Sequence, residues 1–341
     1  MNVIEGAPGI EAVEYWHPAQ GASNDDLARE FGDWDARKAY RVTGVRNRYV
    51  GNDRLSDMAA AAAEKLFQAH SVDRSTVDFL VLVTQTGDYL MPATACIVQD
   101  KLRLPHTCGA FDVNLGCSGY VYGLSIAKAL LTSGAAKRLL LITGEKVAHI
   151  NKNDRSSRVL FGEAAAATLL SRENIVAEIG GFDLGTDGAG YKNLIVEAGG
   201  TALPHSEETA RGIVDEAGNV RSRDNLFMDG MEIFNFSMRT GPATIRAALE
   251  KNGVSQDQVT LFILHQANKM ILETLRARMN IPKERFCIDL EEMGNTSSCT
   301  IPIALRNNME KLGGGDKILL CGFGIGYSWA STVLTWRGKQ K

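Results

Sequence analysis

The chain has 341 residues, 45% of them hydrophobic and 23% charged, which is typical of a globular protein with a substantial apolar core. Its 37 basic and 40 acidic residues give a formal net charge of −3, which argues against nucleic acid or an anionic membrane as a partner. The six cysteines are widely spaced without a C-x-x-C pair, so we expect free thiols and no metal site. The first twenty residues have no signal-peptide pattern, and we expect a cytoplasmic protein.

Leucine-rich and β-branched runs alternate with alanine-rich helical stretches, as in α/β units whose strands are buried on both faces. In the first half the pattern predicts helices at 55–70, 92–102 and 119–133 and strands at 79–84, 110–114, 139–143 and 164–170. In the second half it predicts helices at 241–252, 269–279 and 297–312 and strands at 261–265, 286–289, 317–321 and 331–336. The polar segment 203–229 interrupts this order, and we interpret it as an excursion over the surface.

The two halves contain similar segments, which indicates an internal repeat. In the first half AFDVNLGCSG is followed by a helix and GAAKRLLLITG; in the second, FCIDLEEMGNTSS is followed by a helix and GGGDKILLCGFG. Cys117 and Asn295 therefore occupy corresponding positions. If the copies pack about a pseudo-twofold axis, both residues lie at helix N-termini that face one cleft. The sequence predicts two related α/β halves, residues 1–173 and 174–341.

Cys117 is the candidate nucleophile. It lies in Asn-Leu-Gly-Cys-Ser-Gly between a predicted strand and a helix, where the helix N-terminus is expected to lower the pKa of the thiol. The small flanking glycines would let a substrate carbonyl approach the sulfur. Free cysteines are more often small buried apolar residues, and that interpretation is kept for the other five.

His265 and Asn295 are the candidate partners of this cysteine. His265 ends a buried strand, the edge at which α/β proteins place their sites, although an isolated histidine is more often structural. Asn295 in Gly-Asn-Thr-Ser could serve only as a helix N-cap, but its correspondence to Cys117 favours a role in the cleft. The glycine-rich run 322–326 could offer backbone N–H groups to an oxyanion or a phosphate, and it lacks the P-loop and dinucleotide-binding patterns.

Several motifs together resemble β-ketoacyl-acyl-carrier-protein synthase III and its thiolase-fold relatives. They are FDVNLGCSG, LHQAN, GNTSS and GFGIGYSW, with further matches at VTGVRNR, MPATAC, NDRSSRVLFGEAAA and LFMDGMEIF. The resemblance spans about residues 25 to 337. It implies an α/β thiolase-like fold with five α-β-α-β-α layers, and decarboxylative condensation of an acyl thioester with a malonyl-type thioester through acyl-Cys117. His265 and Asn295 would bind the malonyl carbonyl, and the N–H groups of Cys117 and Ile325 would form the oxyanion hole.

The resemblance also implies substrate and partner contacts. Substrates would be thioesters of coenzyme A or of an acyl carrier protein, with no separate cofactor, and the enzyme would be a homodimer. Lys38 and Val42 stand where bacterial relatives place a Trp and an Arg against the adenine of coenzyme A, which leaves the choice of donor open. The implied substrate-binding residues are Met91, Arg155, Phe161, Gly324 and Gly326, and the implied carrier-docking residues are Lys269, Arg276 and Arg278.

Two other functions stay open at this point. One is an acyltransferase on the same fold that passes its acyl group to an alcohol or amine without decarboxylation. The other is a non-catalytic subunit of a heterodimeric condensing enzyme. A hydroxymethylglutaryl-CoA synthase would need a glutamate in a motif that neither Glu145 nor Glu163 occupies. The sequence names neither the acyl donor nor the extender, and the pathway could be fatty-acid, polyketide or specialised biosynthesis.

Overall fold

A computed structural model describes residues 6–338, so the outermost residues of the two predicted halves lie outside the described part. The strands are β1 Gly9–Trp16, β2 Gly21–Ser23, β3 Asn47–Tyr49, β4 Phe79–Val83, β5 Gly109–Val113, β6 Leu139–Glu145, β7 Ala164–Ser171, β8 Ala177–Thr186, β9 Leu194–Ile195, β10 Ile213–Val214, β11 Val220–Arg221, β12 Phe227–Met228, β13 Val259–Leu264, β14 Lys317–Gly324 and β15 Ser328–Trp336. The helices are α1 Asn24–Phe31, α2 Ala36–Thr43, α3 Leu55–Ala69, α4 Thr94–Lys101, α5 Gly119–Ser133, α6 Arg155–Arg158, α7 Gly230–Lys251, α8 Lys269–Arg278 and α9 Thr300–Asn308.

Nine strands form one mixed sheet in the order β13-β14-β15-β8-β1-β7-β6-β4-β5. The order and directions outward from the β1–β8 junction are the same on both sides: two antiparallel pairings are followed by a parallel one. The junction itself has only two residue pairs, Gly9 with Glu178 and Ile10 with Ala177. The chain has therefore folded twice into the same strand arrangement.

Alternate side chains of the strands separate the core into layers, as the period of a strand requires. In β4, Val81 and Val83 pack with α5, while Leu80 and Leu82 pack with the alanine-rich helix α3 and with α4. In β13, Ile263 packs in the same cluster as α5 and α9, whereas its neighbours face α7 and α8. Strands from both sides of the β1–β8 junction therefore pack against α5 and α9, and these helices form the middle of five layers. This arrangement confirms the predicted thiolase-like α/β fold.

The main differences from the predicted elements have identifiable causes. Strand β1 was not predicted because two glutamates interrupt its apolar pattern, and one of them, Glu14, is buried on Arg306. Helix α7 begins at Gly230 rather than at 241, because Asp229 caps it there. Pro242 lies inside the helix. The predicted strand 286–289 is reduced to one parallel bridge between Phe262 and Phe286.

Segment 203–229 is only partly an excursion over the surface. Strands β10 and β11 form a short hairpin there, and β12 pairs with β9. Its final residues, Leu226 and Met228, turn inward and line a cavity described below. Within residues 6–338, no helix has both the length and the apolar character needed to cross a membrane.

The layered core predicts a large difference between two isoleucines. Ile263 is fully buried in the central cluster, while Ile213 is 69% exposed on the hairpin. We expect Ile263→Ala to lower the free energy of unfolding by about 2–5 kcal/mol, because it removes apolar burial and leaves a cavity. The matched variant Ile213→Ala should change it by less than about 0.5 kcal/mol. Denaturant titration of both variants measures the difference, and equal losses would contradict the layer assignment.

Candidate active site

Cys117 lies in the turn between β5 and α5, and the second half of the chain packs directly against it. A Cβ on Gly324 would come 2.6 Å from the Cys117 Cβ and 2.9 Å from its Sγ. Only a glycine therefore allows β14 to pass the cysteine at this separation. The residue as a whole is partly exposed, and the Ser297 Oγ lies 3.9 Å from the Cys117 Sγ.

His265 follows the last residue of β13 and is 2% exposed. Its backbone N–H donates to the Cys321 carbonyl at 2.8 Å, which continues the pairing with β14. The ring Nδ1 lies 2.8 Å from the Thr300 Oγ1. Burial lowers the pKa of His265 to about 3. The imidazole is therefore neutral at physiological pH and can act as a hydrogen-bond donor without carrying charge.

Asn295 is 4% exposed, and four hydrogen bonds hold it in the turn before α9. Its backbone N–H donates to the Leu160 carbonyl, and its own carbonyl accepts from the Gly162 N–H at 3.1 Å. The side-chain Oδ1 accepts from the Ser297 N–H at 2.9 Å, and Nδ2 donates to the Ala267 carbonyl at 3.3 Å. Hydrogen bonds at both Oδ1 and Nδ2 thus fix the orientation of the side-chain amide. One N–H remains for a ligand, because Nδ2 carries two.

Cys117, His265 and Asn295 all line one cavity of about 140 Å³. Gln85 and Ser297 also contribute polar groups to its wall. The remaining lining is mostly apolar and includes Leu160, Phe161, Met228, Ile233, Ile271 and Phe323. Such a cavity suits an apolar acyl group whose thioester meets a few fixed polar groups.

The protonation state of the Cys117 thiol differs from the sequence expectation. Burial of the sulfur raises the pKa of Cys117 to about 11, and the nearby Glu145 carboxyl acts in the same direction. The Ser297 hydroxyl and the N–H groups of Ile325 and Cys117 hydrogen-bond the sulfur and lower this pKa, but by less. The prediction of a lowered pKa is therefore wrong, and Cys117 is a thiol at neutral pH.

The structure separates the predicted substrate-binding residues into two groups. Phe161 and Gly324 line the cavity, as does the oxyanion candidate Ile325, whereas Gly326 lies beyond its wall. Met91 also lies outside it and is 82% exposed. The Arg155 guanidinium is away from the cavity, where it donates to the carbonyls of Phe31 and Asp33 at the end of α1.

The predicted docking residues lie on one helix. Lys269 and Arg278 are exposed at the two ends of α8. Arg276 is half-buried, because its guanidinium donates to the Glu273 carboxylate and to the Ile281 carbonyl. Two of the three cations are therefore free to meet an acidic surface.

Three further residues at the site were not singled out from the sequence. Ser297 follows Asn295 by two residues, Thr300 begins α9, and Gln85 lies two residues after β4. The Asn-Thr-Ser motif could have pointed to Ser297. Thr300 has no motif of its own, and only its contact with His265 reveals it.

A fold duplicated in this way, with a cysteine, a neutral histidine and an amide around one mostly apolar cavity, defines a thiolase-type condensing enzyme. Sequence models of 3-oxoacyl-[acyl-carrier-protein] synthase III match residues 111–188, and 249–336 for its C-terminal part. The chain is 34% identical to the β-ketoacyl-[acyl-carrier-protein] synthase III of Fusobacterium nucleatum subsp. nucleatum, covering 96% of this chain and 98% of that protein. It belongs to the β-ketoacyl-[acyl-carrier-protein] synthase III family and is a transferase of that class.

Solved structures agree with this assignment. A crystal structure of a 3-oxoacyl-(acyl-carrier-protein) synthase III is 41% identical, with a TM-score of 0.93 over 97% of this chain and 100% of that one. The priming β-ketosynthase from the R1128 polyketide biosynthetic pathway is 26% identical, with a TM-score of 0.85 over 100% of this chain and 99% of that one. The chain therefore resembles both acyl-carrier-protein synthases and a priming ketosynthase of a polyketide pathway.

The raised pKa of Cys117 predicts how the free enzyme reacts with an alkylating reagent. Because only the thiolate is alkylated, the rate at Cys117 should rise about tenfold per pH unit between about pH 7 and 10. Iodoacetamide labelling, followed by mass spectrometry of the peptide that contains Cys117, measures this rate separately from that of the exposed Cys96. A rate that levels off below about pH 8 would show instead that the thiolate is already favoured in the resting enzyme.

Proposed function

We propose that this protein condenses an acyl thioester with a malonyl-type thioester through an acyl group carried on Cys117. The observation that carries the proposal is that Cys117, His265 and Asn295, which come from both halves of the chain, line one cavity. A nucleophile and two hydrogen-bond donors at one apolar site meet the needs of two successive reactions on thioester carbonyls.

In the first reaction, the Cys117 sulfur attacks the carbonyl of the acyl thioester. A bond forms between Sγ and the acyl carbon, the bond to the carrier sulfur breaks, and the thiol proton leaves with the released carrier thiol. The N–H groups of Cys117 and Ile325 would hold the oxyanion of the tetrahedral intermediate. Cys117 and Ile325 both line the cavity, and this supports the proposed role of their N–H groups.

In the second reaction, a malonyl-type thioester binds with its thioester carbonyl between His265 Nε2–H and the Asn295 amide. The bond to its carboxylate breaks, carbon dioxide leaves, and the electron pair forms an enolate whose oxygen both donors stabilise. The enolate carbon then attacks the acyl carbon, and the bond from that carbon to the Cys117 Sγ breaks to give a β-keto thioester. The departing thiolate takes up a proton from solvent and becomes a thiol again. A neutral histidine suits this step, since it donates a hydrogen bond while the oxygen becomes charged.

The proposed partners are an acyl carrier protein and acyl-coenzyme A. The relatives described above are named as acyl-carrier-protein synthases, and the exposed Lys269 and Arg278 on α8 offer charges to an acidic carrier. Arg276 is proposed to assist them, and a contact between Arg155 and the nucleotide of coenzyme A stays a prediction, as does a substrate contact for Gly326. The product would enter fatty-acid, polyketide or specialised biosynthesis.

We also propose that the enzyme is a homodimer of chains that each contain the two halves 1–173 and 174–341. Three consecutive large apolar side chains between β4 and α4 are exposed: Tyr89 by 55%, Leu90 by 96% and Met91 by 82%. A second copy of the chain would cover them, and Met91 would then reach the partner's acyl pocket.

The first reaction predicts a stable acyl-enzyme. Incubation with acyl-coenzyme A and with carrier-bound donors should add one acyl mass to the protein, and peptide mapping should locate it on Cys117. Cys117→Ala should gain no mass, whereas the matched variant Cys96→Ala should behave as the wild type, because Cys96 is exposed outside the cavity. Failure of the wild type to take up any acyl group from the panel would support a non-catalytic subunit instead.

The second reaction predicts a division of labour among the three residues. His265→Ala and Asn295→Ala should each lower carbon dioxide release from malonyl thioester by about 10²–10³-fold, because each removes one donor to the enolate. Both variants should still form acyl-Cys117. The exposed His106 provides a control, and His106→Ala should leave both steps unchanged. Acyl transfer to an alcohol or amine without carbon dioxide release would favour the acyltransferase alternative.

A further inference from the structure

The proposed role of His265 requires one particular tautomer of its ring. A neutral imidazole carries a single N–H, on either Nδ1 or Nε2. Only the Nε2–H form can donate to a thioester carbonyl in the cavity if Nδ1 is directed away from it. Which form is present depends on the hydrogen bond made by the other nitrogen. The surroundings of Nδ1 therefore decide whether His265 can act in the second reaction.

Two polar groups from the segment that follows Asn295 lie near the His265 ring. The Thr300 Oγ1 lies 2.8 Å from Nδ1 and 3.0 Å from the Ser297 carbonyl oxygen. A hydrogen bond from the ring to the Ser297 backbone raises the pKa of His265, although burial lowers that pKa by more. Thr300 is 3% exposed and His265 is 2% exposed, so bulk water does not compete for these contacts.

The Thr300 hydroxyl has one proton and two acceptors within reach. When the hydroxyl donates to the Ser297 carbonyl, its oxygen can only accept from the ring. The ring proton must then be on Nδ1, and Nε2 has none. When the hydroxyl donates to Nδ1, the ring proton is on Nε2, where the enolate needs a donor. Without the hydroxyl, Nδ1 loses the hydrogen-bond donor that favours the Nε2–H form. The Ser297 carbonyl can only accept, so it would favour a ring N–H on the side of the ring that faces it.

We propose that Thr300 is a positioning residue for the second reaction: its hydroxyl donates to His265 Nδ1 and holds the neutral ring as the Nε2–H tautomer. The inference rests on the function proposed above, in which His265 Nε2–H binds the malonyl carbonyl. The proposed role of Thr300 concerns only the second reaction, because acylation of Cys117 uses backbone N–H groups for its oxyanion. Thr300 would thus support condensation while leaving acylation of the enzyme almost unaffected.

The test compares Thr300→Val, which keeps the shape and removes the hydroxyl, with Thr300→Ser, which keeps the hydroxyl. In Thr300→Val, acyl-Cys117 formation should stay close to the wild-type rate, while carbon dioxide release by the preformed acyl-enzyme should fall about 10²-fold, as for loss of one enolate donor. Thr300→Ser should restore most of the release. A general packing role predicts that both steps fall together, and equal losses in the two reactions would overturn the proposal.

Nitrogen-15 NMR of the imidazole tests the tautomer directly in the resting enzyme. The wild type and Thr300→Ser should show a protonated Nε2, and Thr300→Val should show a protonated Nδ1. A protonated Nδ1 in the wild type would refute the proposal even if the valine variant did not fold. If the wild type forms no acyl-enzyme, the proposed function fails, while the NMR result still decides what Thr300 does to the ring.

Discussion

The close approach of β14 to the turn that carries Cys117 is the contact on which the site depends. Gly322 and Gly324 make it possible, since a Cβ on the first would come 2.7 Å from the Ser118 Cα and a Cβ on the second 2.6 Å from the Cys117 Cβ. These separations are too short for any side chain. The nucleophile from one half of the chain is thereby placed against the backbone of the other, and one cavity receives groups from both.

Burial favours the neutral forms of the ionisable groups in and around this cavity. It raises the pKa of Cys117 to about 11 and lowers that of His265 to about 3. It also raises the pKa of the Glu145 carboxyl to about 8, although hydrogen bonds from Thr86, Ser298 and the Gln85 N–H oppose the shift. The residues that line the cavity include no Asp, Glu, Lys or Arg within the described part of the chain, so oriented N–H groups in a low-dielectric site become the main source of stabilisation for an oxyanion.

The sequence predicted the fold from its repeat and the site from its motifs, but it could not predict features that depend on three-dimensional contacts. Strand β1 could not be predicted because a glutamate at position 14 indicates an exposed residue. Its carboxylate is buried only because Arg306, far along the chain, pairs with it. The beginning of α7 was misplaced because Pro242 resembles a helix start. The raised pKa of Cys117 reflects how completely other segments surround the sulfur. Thr300 lies in a helix that carries no motif, and only its contact with the His265 ring indicates a role for it.

The β1–β8 junction has a further consequence for how the chain could be connected. Ala177 in β8 pairs with Ile10 of β1 on one side and with Trp336 of β15 on the other, so the first and last strands of the sheet meet at the same point. Neighbouring strands lie about 4.8 Å apart, which places these two strands only about 10 Å from each other. A circularly permuted gene that joins residue 338 to residue 6 through a short linker, and opens the chain between β7 and β8, would preserve every strand pairing. The second half of the chain could therefore precede the first without a change in the sheet that they form.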